Sequence, residues 1–240
     1  MEISNIKKGR IVLLLAIITI ATGAVFFPAL QSGFTNWDDN VYITQSRMIR
    51  DISPGNIARF FSFTYVNQYH DYHPLTILSY AVEYKFFGLE PFIYHLTNLV
   101  IHIANCALVL WLVILITQNA LAAFVTALLF GIHPLHVESV AWVAERKDVL
   151  STCFYLGLLI AYWRYVRNGR TRSYAASLVL GDLSFLSKTT AMTLPFILIL
   201  CDYLAGRKLS WKTAAEKIPF FGLAAVFTVI TTMIHHPEGG

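Results

Sequence analysis

Apolar residues in this chain come in long unbroken runs, not in the alternation expected of half-buried strands. The first runs from Ile11 to Leu30 and follows Lys7, Lys8 and Arg10. About twenty residues suffice to cross a bilayer, and no small-residue cleavage site followed by a polar mature domain comes after. It predicts a retained membrane helix. Pro74 to Phe87 is shorter and carries Glu83 and Lys85. His73-Pro74 reads as a helix start and Gly88 as a stop. At 1.5 Å per residue this helix reaches only about 21 Å, which predicts an interfacial or re-entrant element. Further runs give candidate spans over 91–117, 119–133, 149–165, 174–187, 190–204 and 218–235. With 11–30 that makes seven.

Charge placement tests the count. A cytoplasmic N-terminus puts Lys7, Lys8, Arg10, Arg164, Arg167, Arg170, Arg172, Arg207, Lys208, Lys212 and Lys217 on the cytoplasmic side. The other side keeps Arg47, Arg50, Arg59, Lys85, Arg146, Lys147 and Lys188. Counting 74–88 as a span would move the basic loops "RNGRTR" and "GRKLSWK" outside, against the positive-inside rule. One long loop, 31–90, then lies on the extracytoplasmic face. Ser53-Pro54 predicts a short helix within it, and Phe60, Phe61, Phe63, Tyr65, Tyr69 and Tyr72 suit a position along the bilayer surface.

Composition agrees. Of 240 residues 56% are hydrophobic and 13% charged, against about 25% charged in soluble domains. Mean hydropathy is +0.58. A soluble enzyme is excluded, and a net charge of +4 without a dense basic patch gives no reason to expect nucleic acid. Cys106, Cys153 and Cys201 lie inside apolar runs, in neither CxxC nor Cys/His metal spacing, and read as small core residues.

Polar residues near helix ends on the extracytoplasmic face carry the candidate chemistry. Asp38 and Asp39, in "NWDDNVYI", follow the first span. Two adjacent carboxylates repel, which can raise one pKa and make a general base; a helix cap with a solvated neighbour is the structural alternative. "GIHPLHVESVAWVAERKD" brings His133, His136, Glu138, Glu145, Arg146, Lys147 and Asp148 into a short loop. Arg146 and Lys147 read as an anion site or as snorkelling cations. No firm metal motif emerges, because Pro134 interrupts the two histidines and no third ligand is evident. Lys188 stands alone between two spans and must snorkel or meet an anion. In 91–117, His95, Asn98, His102 and Asn105 fall within about 80° of one another, a face that must look into the bundle. They serve interhelical hydrogen bonds, or, for His95, reach a site. His70 and His73 of "YHDYHP" could join it. A carboxylate pair and several cations on one membrane face suit a lipid-linked phosphate, with cations on the anion and a carboxylate activating an acceptor hydroxyl.

"FTNWDDNVYI", "HPL" at 73–75, "GIHPLHVESVAWVAERKDVLS" and "LSK" together resemble one family. It is the transmembrane and tetratricopeptide-repeat protein O-mannosyltransferases with their bacterial relatives, of the GT-C glycosyltransferase superfamily. The resemblance covers nearly the whole chain. It implies an all-α polytopic membrane protein with a seven-helix GT-C module and interfacial helices in the first extracytoplasmic loop. It implies inverting transfer of a sugar, expected to be mannose, from a polyprenyl-phosphate donor to an acceptor hydroxyl on protein or glycan. Asp38 would be the base and Asp39 its support or the acceptor's guide. Arg146, Lys147 and Lys188 would hold the phosphate, with His133 and His136 bonding donor or phosphate. Glu138, Glu145, His73 and His95 would be supporting residues. No cofactor is firmly implied, and divalent metal dependence stays open. No tetratricopeptide repeat is read here, so 1–240 is expected to form the transmembrane module alone. The rival expectation is a non-enzymatic remnant, lipid-phosphate transporter or scaffold, for which the acidic pair would be dispensable.

Overall fold

The computed structural model describes residues 7–62, 71–189, 193–208 and 210–235. His70, Phe63, Tyr65, Tyr69 and the first residues of the expected span 190–204 lie outside the described residues. Among the described residues every regular element is helical, and the chain is an all-α polytopic membrane protein. Helix α1 is Lys8–Phe26, α2 Pro54–Phe60, α3 Pro74–Phe87, α4 Pro91–Thr117, α5 Ala120–Ile132 and α6 Val137–Ala141. Then follow α7 Arg146–Asn168, α8 Thr171–Ser187, α9 Leu194–Leu204, α10 Trp211–Ala215 and α11 Ile218–His235.

Among the described residues four stretches are long and apolar enough to cross a membrane: Lys8–Gln31, Pro91–Thr117, Val143–Asn168 and Trp211–Met233. A fifth is α5 taken with the segment Pro134–Ala141, bent by 48° at the break before Pro134. The proline has no amide hydrogen to continue the helix, and His133 Nδ1 instead accepts from Leu135 N at 3.2 Å. Helix α8 has 17 residues and α9 has 11, so neither passes on its own length. Helix α7 begins at Arg146, three residues before the apolar run expected from Val149. The charges that mark the end of the run in sequence are here the helix's first turn.

Helix α3 has the bounds expected from its punctuation, with Pro74 in its first turn and Gly88 closing it at φ 62°. That left-handed angle is cheap only without a Cβ. Ser53 caps α2 by accepting from Asn56 N. Segment 31–90 does more than coat a surface. Ile43, Ile49, Phe60 and Tyr80 are all buried in one core with Tyr94, Val143 and Ala144. Tyr80 donates to the Val143 carbonyl at 2.8 Å and Thr76 to the Ser187 carbonyl at 3.1 Å. The loop is thereby fixed to the starts of α4 and α7 and to the end of α8.

Further cores lie among the long helices. Leu158, Tyr162, Phe185, Leu198 and Phe220 join α7, α8, α9 and α11. Ile18, Cys106, Ile114, Ala127 and Leu156 join α1, α4, α5 and α7. Gly131 lets α5 meet α1, because a Cβ there would collide with Thr22 Oγ1 and lie 3.0 Å from Cys106 Sγ. The three cysteines are free, with Cys106 and Cys201 buried and Cys153 half-buried. Around α9 to α11, Arg207 pairs with Asp202 at 3.0 Å and Glu216 at 2.8 Å, and Lys217 pairs with Asp202.

Candidate active site

Asp38 and Asp39 have different surroundings. Asp39 is fully buried. Its Oδ2 accepts from Thr35 N at 2.8 Å and Thr35 Oγ1 at 3.0 Å, and its Oδ1 accepts from Ala144 N at 2.8 Å. Ala144 lies in the turn Val143–Glu145 that leads into α7. A carboxylate there satisfies orphan amides and meets the positive end of the helix dipole. Asp38 is half-buried, forms no hydrogen bond or ion pair among the described residues, and has Lys147 within electrostatic range. Asp39 opens the helical turn Asn40–Thr44 without capping it through its side chain; its three donors come from Thr35 and Ala144 instead.

Beside Asp38 stands a set of charges from three elements. Lys147 lies 3.2 Å from Glu145 Oε1 and 3.7 Å from Asp71 Oδ2. Lys188, at the end of α8, lies 3.7 Å from Glu145 Oε2 and pairs with Asp148. Glu145 therefore sits between the two ammonium groups. Asp148 also accepts from Ser139 Oγ at 2.9 Å. His73 Nδ1 lies 3.1 Å from Asp71 Oδ2, and the His73 ring meets Tyr42 edge-on at 4.8 Å. Burial pushes the Asp71 carboxyl up, but its contacts with His73 and Lys147 outweigh that and hold it well below the usual carboxylate range.

Arg146 is not part of this set, although the resemblance implies it among the phosphate ligands. Its side chain is wholly buried, and all three nitrogens are engaged. Nε donates to Asn98 Oδ1 at 2.8 Å and Nη2 to the Tyr94 carbonyl at 2.9 Å. Nη1 donates to Glu83 Oε2 at 2.5 Å and Ser79 Oγ at 3.2 Å. The guanidinium also lies 4.6 Å from the Tyr80 ring centre and 5.6 Å from that of Tyr94. A buried arginine must be paired or it costs several kcal/mol, and this pairing ties α3, α4 and α7 together. Sequence reading missed Glu83, whose position in an apolar helix was the signal.

His133 and His136 also stand apart from the lysines. His133 is exposed and occupied in capping. His136 packs on Phe130 at 4.5 Å and on His102 at 5.3 Å. Neither pairs with Lys147, Lys188 or Asp38 among the described residues. No group of three His, Cys, Asp or Glu side chains there could hold a metal ion.

The stripe on α4 is buried throughout. Asn98 donates to the Trp142 carbonyl at 3.1 Å, and Asn105 to that of Val149 at 2.8 Å. His102 Nε2 is 3.0 Å from the Gly131 carbonyl. His95 differs. It is 2% exposed and lines a cavity of about 590 Å³ with Thr35, Asn36, Trp37, Glu138 and Trp142. Both ring nitrogens lack a well-formed hydrogen bond among the described residues, although the Gly33 and Ala141 backbones lie alongside. Glu138 is exposed at this cavity.

The arrangement offers an unengaged carboxylate at Asp38, two incompletely buried ammonium groups and a cavity lined by the neighbouring Trp37. Residues 86–236 match the family described as dolichyl-phosphate-mannose-protein mannosyltransferase. The chain is 33% identical over 160 residues to protein O-mannosyl-transferase Tmtc1 of Drosophila melanogaster, covering 64% of this chain and 18% of that protein. It is 32% identical over 146 residues to protein O-mannosyl-transferase tmtc2 of Xenopus laevis, covering 59% and 17%. It is 27% identical over 168 residues to protein O-mannosyl-transferase TMTC3 of Homo sapiens, covering 67% and 18%. The matched stretch therefore spans less than a fifth of each of these relatives. No solved structure matches.

Proposed function

The chain belongs to the dolichyl-phosphate-mannose-protein mannosyltransferase family, and we propose that it carries the reaction centre of a mannosyl transfer from a polyprenyl phosphate to a protein hydroxyl. In this reading seven helices cross the membrane, the N-terminus is cytoplasmic, and Asp38 faces the extracytoplasmic side. The acceptor oxygen attacks the anomeric carbon as the bond from that carbon to the phosphate oxygen breaks, with inversion. The hydroxyl proton passes to the Asp38 carboxylate. The polyprenyl phosphate leaves as an anion beside Lys147 and Lys188. Asp39 positions the turn that carries Asp38.

The observation supporting this most is the division of labour in the acidic pair: Asp39 is buried on three donors while Asp38 is left unengaged beside Lys147. The test is transfer from polyprenyl-phosphate-mannose to a Ser/Thr peptide in lipid nanodiscs, comparing the chain with Asp38→Asn. A positioned base contributes roughly 10²- to 10⁴-fold, so Asp38→Asn should lower kcat by that factor with the fold intact. Unchanged transfer would remove Asp38 as the base. Binding of the lipid phosphate without transfer, by wild type as by variant, would favour a carrier or inactive scaffold.

A further inference from the structure

The cavity lined by Trp37 and His95 contains a second polar group without a partner. Trp142 Nε1 is buried and has no hydrogen-bond partner among the described residues, and neither nitrogen of His95 has a well-formed one, although the Gly33 and Ala141 backbones lie alongside. An indole N–H is a donor only, and leaving it without an acceptor is costly unless a ligand meets it. Trp37 packs edge-on against Trp142 with ring centres 5.7 Å apart, and Trp37 is 74% exposed. An indole so exposed, beside an apolar-walled cavity that holds the buried Nε1 of Trp142 and the buried ring of His95 without well-formed hydrogen bonds, suits an amphipathic ring. The exposed carboxylate of Glu138 and the Asn36 side chain add hydrogen-bonding groups among the lining residues.

We propose that this cavity is a subsite for a hexopyranose ring, whose C–H face lies on indole and whose hydroxyls take up Trp142 Nε1 and His95. The inference rests on the transferase reading above and deepens it, since the same ring chemistry could come from the sugar of the donor lipid or from a sugar already on the acceptor. His95 and Trp142 are then specificity-determining residues, not members of the proton-transfer machinery. The position fits such a role. Trp37 is the residue before Asp38, and Trp142 precedes the turn whose Ala144 amide holds Asp39. A ring bound here is held by the two segments that fix the acidic pair.

The test measures binding to the full chain in nanodiscs with labelled ligands in two pairs. One pair is polyprenyl-phosphate-mannose against bare polyprenyl phosphate; the other is a mannosylated Ser/Thr peptide against its unmodified form. The variants are Trp142→Phe, which keeps a planar ring and loses the N–H, His95→Leu, and Trp37→Ala, an exposed position where folding is not at risk. Wild type should prefer the sugar-bearing member of one pair, and which pair identifies the source. Each variant should lower that preference roughly two- to tenfold, the size of one neutral hydrogen bond. Absence of any sugar preference in wild type would overturn the subsite. So would a preference that all three variants retain, or a loss confined to affinity for the unmodified peptide, which would assign the cavity to the acceptor chain. Sugar-dependent binding without any transfer would retire the transferase reading and leave the subsite standing. Transfer with an unaltered sugar preference in every variant would do the reverse.

Discussion

Arg146→Met separates an anchoring arginine from a phosphate ligand. The guanidinium is wholly buried and donates to Asn98, Ser79, Glu83 and the Tyr94 carbonyl. Methionine fills similar volume with no charge and no donors, so Glu83 is left as a buried carboxylate without its cation. Its Oε1 already has no hydrogen-bond partner among the described residues, so nothing nearby is set to replace the arginine. Removing one member of a buried pair costs about 3–5 kcal/mol, most of it the stranded partner's desolvation. For a chain of this size each kcal/mol moves Tm by roughly 2–4 °C, so a fall of about 6–20 °C is expected. The assay is thermal unfolding in detergent micelles, read by loss of tertiary signal and of monodispersity. The double variant Glu83→Met/Arg146→Met should recover most of the loss, because an apolar replacement of both partners is often neutral or better. Arg146→Met unfolding within about 1 kcal/mol of wild type while losing affinity for inorganic phosphate would refute the reasoning and return Arg146 to the anion site.

Asp39→Ala strands the amides of Thr35 and Ala144; at roughly 1.5–3 kcal/mol for each hydrogen bond to a charged group, it should destabilise markedly, whereas Asp38→Ala should leave Tm nearly unchanged. Equal shifts in the same melt would contradict the assigned roles. Gly131→Ala should cost about 1–3 kcal/mol through the collision with Thr22, and Thr22→Gly should relieve it in the double variant; full stability of the single variant would show that α1 and α5 cross elsewhere. Asp71 has a lowered pKa, so its stabilising contribution is complete above the ordinary carboxylate value and fades only as pH falls through the lowered one. The Tm gap between wild type and Asp71→Asn should therefore stay constant from about pH 8 to about pH 5 and close only in stronger acid; a gap closing near neutrality would implicate His73 instead.

Helix positions were legible because apolar runs and their punctuation are local. Pro74 and Gly88 bound α3 within the sequence itself, and Ser53-Pro54 does the same for the start of α2. The stripe from His95 to Asn105 could be assigned to the bundle interior by angle alone, and all four residues are buried. Sequence could not tell Arg146 from Lys147, because the difference is a matter of helix phase at a boundary set from afar. Asp39 reaches across to the Ala144 amide and fixes where the turn before α7 ends. From there one residue of rotation sends Arg146 towards Asn98 and Glu83, and Lys147 towards Asp71 and Glu145. No periodicity within "AERKD" contains that information. The same holds for Trp142, an ordinary apolar residue in sequence whose unsatisfied N–H exists only once α6 and the loop after α1 have met.

The balance of charge around the lysines bears on how a phosphate could be held. Lys147 and Lys188 share Glu145, and each has a further carboxylate, Asp71 for the one and Asp148 for the other. Two cations among three acids would repel a phosphate if every pairing persisted. The outer acids, however, are the more exposed ones, with Asp71 at 33% and Asp148 at 29% against 12% for Glu145. A phosphate bonded to both ammonium groups would displace these more exposed partners first, since they regain most hydration on turning away. Glu145 is the partner that stays, bridging the lysines and holding their spacing. Asp38 lies within electrostatic range of Lys147 and forms no ion pair among the described residues. In the proposed reaction the carboxylates beside the lysines would serve as placeholders for the anion, leaving Asp38 to take the proton.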